Sequence, residues 1–416
     1  MITLGLLSAL VVPFLAALLL VPLVRTVALR RGWVDAPDGE RKRHAAPTPN
    51  VGGVAIAGAV GIGLVSLLLM GDLLALTLST PVVIVGVGAL IILATGFYDD
   101  VRGLGFKQKF MLQAAVAYLL MHAGYHVEVA NLPFMAADPY QQTLYTVPLT
   151  MLWIVGILNA VNLLDGLDGL APGVVMIAFV CLASIFGLNG DVRLAALALL
   201  MVGALAGFLI YNFNPASIFM GDSGSLFLGY TLAITTLSLG DGAHANPMLG
   251  LLVPVIVLGL PLLDTGLCIT RRLLEHRSPF APDHDHIHHR LSRLLPQRRA
   301  VLLLYGIALW CGIAAVSMTL VDLPTGVGVV IATFITAYVG VRALGYVGPL
   351  RAARRAPLAV DLAFDEAAQG EAEGHAVGGD GASGSEAGRH GPPQQPAAGF
   401  EDGTDPERRP ALELEL

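Results

Sequence analysis

Charged side chains are scarce in this sequence. Only 13% of its 416 residues are Asp, Glu, Lys or Arg, whereas 55% are hydrophobic. Soluble globular domains carry about 25% charged residues, so the composition excludes an ordinary soluble protein. We expect a lipid bilayer around the chain and no nucleic-acid partner.

Cysteine is also rare. The three cysteines, Cys181, Cys268 and Cys311, all lie inside long apolar runs. Because no pair of cysteines falls in loops, we expect no disulfide framework, and we interpret the three thiols as small packing groups.

Long apolar runs are abundant. Runs of about 20 apolar residues are typical of membrane-spanning helices. The sequence predicts an all-α polytopic membrane protein with about eleven spans, at residues 2–24, 51–70, 81–98, 108–124, 147–163, 170–188, 193–212, 223–239, 247–270, 300–320 and 324–344. The first run has neither a basic segment before it nor a small-residue cleavage site, so we expect a retained helix and not a signal peptide.

The basic residues predict the orientation of these spans. With the N-terminus outside and the C-terminus in the cytoplasm, 23 of the 24 Lys and Arg residues lie in or beside inner loops, and only Arg193 lies outside. Positive charge favours the cytoplasmic side of a membrane. We therefore expect a multi-pass protein of the plasma membrane (the inner membrane in a cell with two) in this orientation.

The last part of the chain differs in composition. Residues 1–350 form the predicted transmembrane domain, and residues 351–416 are rich in Gly, Ala, Pro and Glu. This tail holds 13 acidic and 6 basic residues, which accounts for the net charge of −7 of the whole chain. Such a composition buries too little apolar surface to fold, so we expect a disordered cytoplasmic tail.

Polar residues gather in a few short stretches. Four are prominent: "TGFYDDVRGLGFKQK" (95–109), "NAVNLLDGLDGL" (159–170), "YNFNPASIFMGDSGSLFLG" (211–229) and "RRLLEHRSPFAPDHDHIHHRL" (271–291). A weaker fifth is "RKRHAAPTPNVGG" (41–53). Polar residues near the membrane are costly and are functional candidates. All five stretches fall on the predicted cytoplasmic side, which indicates one site open to the cytoplasm.

The carboxylates of these stretches predict catalytic and metal-binding groups. Asp99 and Asp100 are adjacent and cannot share a helix face, so we expect different partners for them, a cation for one and a catalytic role for the other. Asn162, Asp165 and Asp168 are spaced by three, which would put them on one face of a helical turn. Asp165 or Asp168 alone could instead cap a helix or mark an Asp-Gly turn. A cap does not need three such groups in register, so we favour a functional role.

Asp222 opens an apolar helix in "FMGDSGSLFLG". It is either the N-cap of that helix or a ligand of Mg²⁺ beside an anion bound at the helix N-terminus. Phe219 could stack on a base or sugar. Lys107 and Lys109, with His44 of the weaker stretch, are candidates for binding a lipid phosphate or a diphosphate.

The stretch "PDHDHIHHR" (282–290) raises the question of zinc. Structural zinc sites usually draw on two separated ligand pairs, and no second Cys or His cluster lies on the same predicted face. Five arginines nearby make the surroundings cationic. We therefore interpret the stretch as an anion clamp in which His286, His288 and His289 donate hydrogen bonds.

Taken together in this order, the four prominent stretches resemble the polyprenyl-phosphate N-acetylhexosamine-1-phosphate transferases. The match runs from about residue 40 to residue 292, and it favours the undecaprenyl-phosphate GlcNAc-1-phosphate transferases over the more distant phospho-MurNAc-pentapeptide translocases, because Ile287 interrupts the run of histidines. The resemblance implies a Mg²⁺-dependent transfer (Mn²⁺ is the alternative cation) of GlcNAc 1-phosphate from a UDP-N-acetylhexosamine to polyprenyl phosphate, releasing UMP.

The resemblance also implies roles for single residues. Asp99 would be the base or nucleophile and Asp100 would assist it. Asp222 would bind the metal, and the nucleotide and metal site would include Asn162, Asp165, Asp168 and Asn212. Phe219 would lie near the nucleotide, and His286, His288 and His289 would contact the sugar diphosphate. A transporter remains the alternative from another class, and a homodimer is left open.

Overall fold

The computed structural model describes residues 2–35, 47–70, 79–128, 139–239, 247–278 and 286–343. These residues form thirteen α-helices and two short strands, and we label the elements in chain order. The helices are α1 (Ile2–Arg31), α2 (Gly52–Leu69), α3 (Thr80–Arg102), α4 (Phe106–His122), α5 (Pro139–Leu164), α6 (Leu170–Leu188), α7 (Val192–Asn212), α8 (Gly221–Leu237), α9 (Pro247–Val257), α10 (Gly259–Leu274), α11 (Ile287–Leu294), α12 (Gln297–Met318) and α13 (Leu323–Ala343). The strands β1 (Val34–Asp35) and β2 (Thr48–Pro49) pair antiparallel.

The helices confirm a polytopic membrane protein. Within the described ranges, eight helices are long and apolar enough to cross a membrane: α1, α2, α3, α5 from Thr143, α6, α7, α12 and α13 up to Arg342. In a bilayer a helix satisfies all of its backbone hydrogen bonds internally, which is why nearly all of the apolar sequence is helical. The predicted count of eleven is not confirmed, because α4 and α8 have 17 residues each and the run 247–270 is divided.

The division of the run 247–270 has a local cause. The helix that begins at Pro247 ends at Val257, and α10 begins at Gly259. Pro261 has no backbone N–H and cannot bond to the Val257 carbonyl four residues earlier, so a continuous helix would lose a hydrogen bond there. The run expected to form a span over 247–270 is therefore divided into two helices, and its crossing of the membrane stays a prediction.

Two further boundaries differ from the sequence expectation. The predicted loop 271–299 contains the eight-residue helix α11. The first helix extends to Arg31 and not to residue 24, so that its basic residues lie on its last turns. The tail from residue 351 lies outside the described residues, and its predicted disorder stays a prediction.

Small residues set the packing around α8. A Cβ on Gly53 of α2 would overlap the backbone of Gly224 in α8, and a Cβ on Gly96 of α3 would overlap the backbone of Asp222 and Ser223. Small side chains let membrane helices approach closely. The close approach brings the C-terminal turn of α3, with its two carboxylates, against the N-terminus of α8.

Candidate functional site

Asp100 lies in the last turn of α3 and caps another helix. Its Oδ1 accepts a hydrogen bond from the backbone N–H of Asp222 (2.7 Å), and its Oδ2 accepts one from that of Ser223 (3.0 Å). Both N–H groups belong to the first turn of α8, where a helix has no internal partners for them. A carboxylate is also favourable at this positive end of the helix. Asp100 therefore fixes α8 relative to α3.

Asp99 faces a different partner, as its sequence position predicted. Its Oδ2 lies 2.6 Å from the ammonium nitrogen of Lys109, and its Oδ1 accepts a hydrogen bond from the backbone N–H of Leu104. The same Lys109 nitrogen lies 2.9 Å from Oδ2 of Asp222. One ammonium ion thus joins carboxylates from α3 and α8.

Asp222 is the second residue of α8, and its side chain leaves the helix N-terminus. Its Oδ1 accepts a hydrogen bond from Nδ2 of Asn162 at 3.1 Å, and Asn162 Nδ2 also lies 2.8 Å from Oγ of Ser225. The interpretation of Asp222 as the N-cap of α8 is wrong, because Asp100 supplies the capping carboxylate. The side chain of Asp222 instead lies between the amide of Asn162 on α5 and the ammonium ion of Lys109 on α4.

The helical turn expected for Asn162, Asp165 and Asp168 is not formed. α5 ends at Leu164, and Gly169 adopts a positive φ of 77° before α6 begins. Asp-Gly pairs favour turns over helix, which explains why the helix stops. The three residues therefore do not share a helix face.

The two aspartates of this turn have different surroundings. Asp165 is partly buried, and burial together with the negative charges of Asp222, Asp100 and Asp168 raises its pKa to about 8. Asp168 Oδ2 accepts hydrogen bonds from Nδ2 of Asn214 (2.9 Å) and from the backbone N–H of Ala216 (3.1 Å). Asp165 thus interacts with the carboxylates of Asp100 and Asp222, whereas Asp168 binds the loop that follows α7.

Asn212 and Phe219 frame that same loop. Asn212 is buried, its Oδ1 accepts from the backbone N–H of Gly169 (3.0 Å), and its Nδ2 donates to the carbonyl of Ile218 (2.8 Å). The backbone N–H of Phe219 donates to the Pro49 carbonyl at 2.7 Å, and its ring is partly exposed. The predicted nucleotide contacts of Asn212 and Phe219 stay predictions.

The histidines lie at the start of α11 against a carboxylate of α10. The donor atoms of Asp264, His286 and His288 all lie within 4.8 Å of one another, and the three residues are buried. The ring of His289 lies 4.3 Å from that of His288 and is more exposed. Burial of His286 opposes protonation, but its hydrogen bond to Asp264 outweighs that effect and raises its pKa to about 9.

The sequence interpretation missed Asp264. It described the histidines as surrounded by cations and looked only for Cys or His as further ligands, so the carboxylate in "PLLDTG" went unnoticed. An acidic residue inside an apolar run is itself a signal of function, and that signal would have found it.

The candidates for the lipid phosphate are only partly described. Lys109 lies between Asp99 and Asp222, as given above, and Lys107, two residues before it on α4, is exposed. His44 lies outside the described residues. The binding of prenyl phosphate by these three residues therefore stays a prediction.

The donor set around Asp222 fits a hard divalent cation. The carboxylates of Asp99 and Asp222 are near enough to share one ammonium ion, and the charges of Asp100 and Asp222 act on Asp165. Such crowded anions require positive charge between them, and Mg²⁺ binds through one or two carboxylates with oxygen ligands. The cluster of Asp264 with two histidines offers nitrogen donors and suits Mg²⁺ less well.

Comparison with known proteins places the chain among membrane sugar-phosphate transferases. Residues 82–240 match the family described as glycosyl transferase family 4. The chain is 40% identical over 309 residues to a probable undecaprenyl-phosphate N-acetylglucosaminyl 1-phosphate transferase of Bacillus subtilis (strain 168). The aligned residues cover 74% of this chain and 83% of the relative.

Two further relatives show the range of the similarity. A decaprenyl-phosphate N-acetylglucosaminephosphotransferase of Mycolicibacterium smegmatis is 40% identical over 320 residues, 70% of this chain and 76% of the relative. A phospho-N-acetylmuramoyl-pentapeptide-transferase of Staphylococcus carnosus is 33% identical over 253 residues, 55% of this chain and 75% of the relative. At this identity and coverage, the chain belongs to glycosyl transferase family 4.

Proposed function

We propose that this protein transfers N-acetylglucosamine 1-phosphate from UDP-GlcNAc to a polyprenyl phosphate such as undecaprenyl phosphate. An oxygen of the acceptor phosphate attacks the phosphorus that carries the sugar. The bond between that phosphorus and the oxygen bridging to the second phosphate breaks, and UMP leaves. The product is a lipid-linked sugar diphosphate, the first intermediate of a cell-envelope polysaccharide.

The observation that carries this proposal is the junction of three helices at Lys109. The ammonium ion of α4 lies within 3 Å of carboxylates from α3 and α8, and Asn162 of α5 binds the second of them. Phosphoryl transfer needs positioning and neutralisation of charge more than covalent chemistry from the protein. Carboxylates, an amide and an ammonium ion that are held at the N-terminus of α8 can position the phosphates and neutralise their charge. The names of the relatives at 40% identity support the same reaction.

Asp222, with Asn162 and Asp165 beside it, would hold Mg²⁺, with Mn²⁺ as the alternative. When bound, the dication neutralises the diphosphate and the charge that develops on UMP. The protein's own part is to fix these ligands, which Asp100 does by capping α8 and Lys109 does by joining Asp222 to Asp99.

Asp99 orients the acceptor phosphate or removes its last proton. A phosphate monoester has a second pKa near 6 and is largely dianionic at neutral pH, so a strong base is not required. Hydrogen bonds from Lys109 and Leu104 already engage both oxygens of Asp99, which makes this carboxylate a poor nucleophile. We therefore infer direct attack by the prenyl phosphate, with Lys107, Lys109 and His44 near its charge.

The donor binds beside the loops that follow α5 and α7. We assign the nucleotide to the side of Asp165, Asp168, Asn212 and Phe219, and the sugar diphosphate to His286, His288 and His289. The buried hydrogen bonds of Asn212 and the partly buried one of Asp168 support a positioning role for these two residues.

We further propose that the chain spans the membrane eleven times with its N-terminus outside. α4, α8 and the pair α9–α10 would supply the three spans beyond the eight candidates. The site then opens to the cytoplasm, where UDP-sugars are available, and a homodimer remains compatible with it.

The test uses purified protein with UDP-GlcNAc, Mg²⁺ and polyprenyl phosphate, and it measures UMP release. We expect UMP only when the lipid phosphate is present. Removal of divalent cations with EDTA should stop release, and added Mg²⁺ should restore it. Absence of UMP with every UDP-sugar would overturn the enzyme assignment and favour a transporter.

Two variations of the same assay address the finer points. UDP-MurNAc-pentapeptide and UDP-GalNAc in place of UDP-GlcNAc identify the sugar. Labelled phospho-sugar that stays on the protein without acceptor lipid would contradict direct attack.

Asp222→Asn should reduce turnover by at least about 100-fold, since it removes a carboxylate from the proposed metal ligands. Turnover close to wild type at ordinary Mg²⁺ concentration would remove Asp222 from the metal site.

A further inference from the structure

Asp264 is a buried carboxylate that none of the predicted roles uses. It lies in the first turns of α10, and only 2% of its surface is exposed. A buried carboxylate is costly unless hydrogen bonds and opposite charge compensate it. The position of those compensating groups indicates what Asp264 does.

Both oxygens of Asp264 face the start of α11. Oδ1 accepts a hydrogen bond from the backbone N–H of Ile287 at 2.7 Å, and Oδ2 lies 3.1 Å from Nδ1 of His286. Oδ2 also lies 3.5 Å from Nδ1 of His288. One side chain thus contacts three successive residues where α11 begins.

These contacts fix where α11 begins and how the rings of His286 and His288 are placed. Ile287 is the first residue of α11, so Asp264 supplies from α10 the carboxylate that a helix N-terminus favours. The hydrogen bond at Nδ1 fixes the orientation of the His286 imidazole and leaves its Nε2 for a second partner. Nδ1 of His288 makes no hydrogen bond among the described residues, and its 3.5 Å distance from Asp264 is an ion-pair contact. The rings of His286 and His288 stack with 5.4 Å between their centroids, so a rotation of one disturbs the other.

The far side of His288 reaches the aspartate loop. A Cβ on Gly166, the neighbour of Asp165, would overlap Nε2 of His288. Within the part of the chain that the structure describes, Nε2 of His288 makes no hydrogen bond. The side chain therefore extends from Asp264 to the loop that carries Asp165, and its outer nitrogen is not saturated.

We infer that Asp264 is a positioning residue that orients His286 and His288 toward the diphosphate of the donor. The inference rests on the proposed function, because it names what holds the histidines of that site. Asp264 itself does not touch the substrate. It aligns the start of α11 and the two rings before the donor binds.

The first measurement is the kinetics of Asp264→Asn. An asparagine cannot accept at both positions, and we expect KM for UDP-GlcNAc to rise roughly 10- to 100-fold, the effect of one or two lost charge-assisted hydrogen bonds. KM for polyprenyl phosphate should stay near the wild-type value. Asp264→Glu keeps the charge and should recover part of the loss.

The matched control is Asp191→Asn. Asp191 is also a carboxylate at a helix N-terminus, where its Oδ1 accepts from the backbone N–H of Leu194 at 3.0 Å, but it caps α7. Asparagine keeps the oxygen that accepts this hydrogen bond and is as favourable an N-cap as aspartate, so Asp191→Asn should change thermal stability little and leave both KM values at the wild-type level. Equal kinetic effects of Asp191→Asn and Asp264→Asn would reduce Asp264 to a purely structural cap and overturn the inference.

The second measurement does not depend on activity. Amide hydrogen exchange of residues 287–294 should accelerate in Asp264→Asn and stay at the wild-type rate in Asp191→Asn. Unchanged exchange in Asp264→Asn would overturn the inference even if UMP release were normal. If the wild type releases no UMP, the proposed function fails, whereas the contact of Asp264 with α11 is still decided by exchange.

Metal analysis of the purified protein separates positioning from metal binding. Equal metal content in wild type and Asp264→Asn supports the inference. One equivalent of a transition metal that is lost in Asp264→Asn would overturn it, because Asp264 would then be a ligand together with His286 and His288.

Discussion

Lys109 connects groups that lie far apart in the sequence. Its ammonium ion lies 2.6 Å from Asp99 and 2.9 Å from Asp222, and all three side chains are partly buried. Two carboxylates this close repel each other strongly outside bulk water. The lysine therefore holds both carboxyl groups in place before any substrate binds. Its loss should change activity at the site more than the stability of the fold.

We expect Lys109→Met to reduce UMP release by at least about 100-fold, comparable to the loss of a group that stabilises transition-state charge. Arg102→Met is the matched control, since it removes an exposed cation from the end of α3. Initial rates of UMP release at saturating substrates measure both variants. If the two variants lost activity equally, general positive charge and not the Lys109 bridge would explain the effect.

The ion pair of His286 with Asp264 predicts a pH dependence of stability. The pKa of His286 in the folded protein is raised to about 9, against about 6.5 for an unfolded histidine. A raised pKa contributes stability that is complete below about pH 6.5 and is lost as the pH rises through about 9. Cys268 on α10 and the rings of His288 and His289 also face His286.

Melting temperature in detergent between about pH 6.5 and 9 tests this dependence. The wild type should lose stability over that interval, whereas Asp264→Asn, which lacks the anion, should lose much less. The same slope in both proteins would contradict the assignment of the loss to this pair.

At the scale of elements, the close contact of α2 and α8 holds the site together. Gly53 of α2 lies so near Gly224 of α8 that a Cβ would overlap the backbone, and the Gly53 N–H donates to the Met220 carbonyl at 2.9 Å. Backbone cannot move aside as a flexible side chain can. Any separation of α2 from α8 therefore shifts the first turn of α8 and, with it, Asp222.

Gly53→Ala should destabilise the protein by about 1–3 kcal/mol, the cost of overpacking a dense interior, and should also reduce turnover. The matched control is Gly61→Ala in the same helix, where a Cβ meets no heavy atom within 4 Å among the described residues. Melting temperature and UMP release of the two variants are compared. If Gly53→Ala were as stable as Gly61→Ala, α2 could move away from α8 at this contact, and the prediction would be wrong.

The secondary structure could be predicted well where apolar runs are long and less well where they end. Hydrophobicity locates α6 and α7 within a residue or two. It could not show that Pro261 divides a run into α9 and α10, nor that a polar loop forms α11, because short helices depend on tertiary partners such as Asp264. The end of α5 at Leu164 agrees with the Asp-Gly turn, which was the alternative to a shared helix face at Asp165 and Asp168.

At the scale of the whole molecule, the grouping of the site could be predicted but its internal assignments could not. The sequence stretches with Asp99, Asn162 and Asp222 do meet, because a single membrane face collects the polar ends of many helices. Which carboxylate caps α8 depends on the distance between α3 and α8, and only the fold reveals that it is Asp100. The contact of Asp264 with the histidines likewise joins separate elements.

The remaining prediction at this scale concerns the number of spans. Eleven spans put the chain ends on opposite sides of the membrane, whereas the eight candidate helices alone would put them on the same side. The three native cysteines are buried, so they should give little background in a labelling experiment. Exposed arginines at the ends of helices offer positions for a single added cysteine.

We expect a membrane-impermeant maleimide to label Arg193→Cys in intact cells, and Arg102→Cys and Arg342→Cys only in inverted vesicles. All three arginines are exposed at helix ends, and the excess of Lys and Arg on one side of the predicted membrane gives the direction. Permeabilised cells, in which all three should react, serve as the control. If Arg102→Cys and Arg342→Cys reacted from opposite sides, the number of crossings between α3 and α13 would be odd, and either α4, α8 or the α9–α10 pair would fail to span.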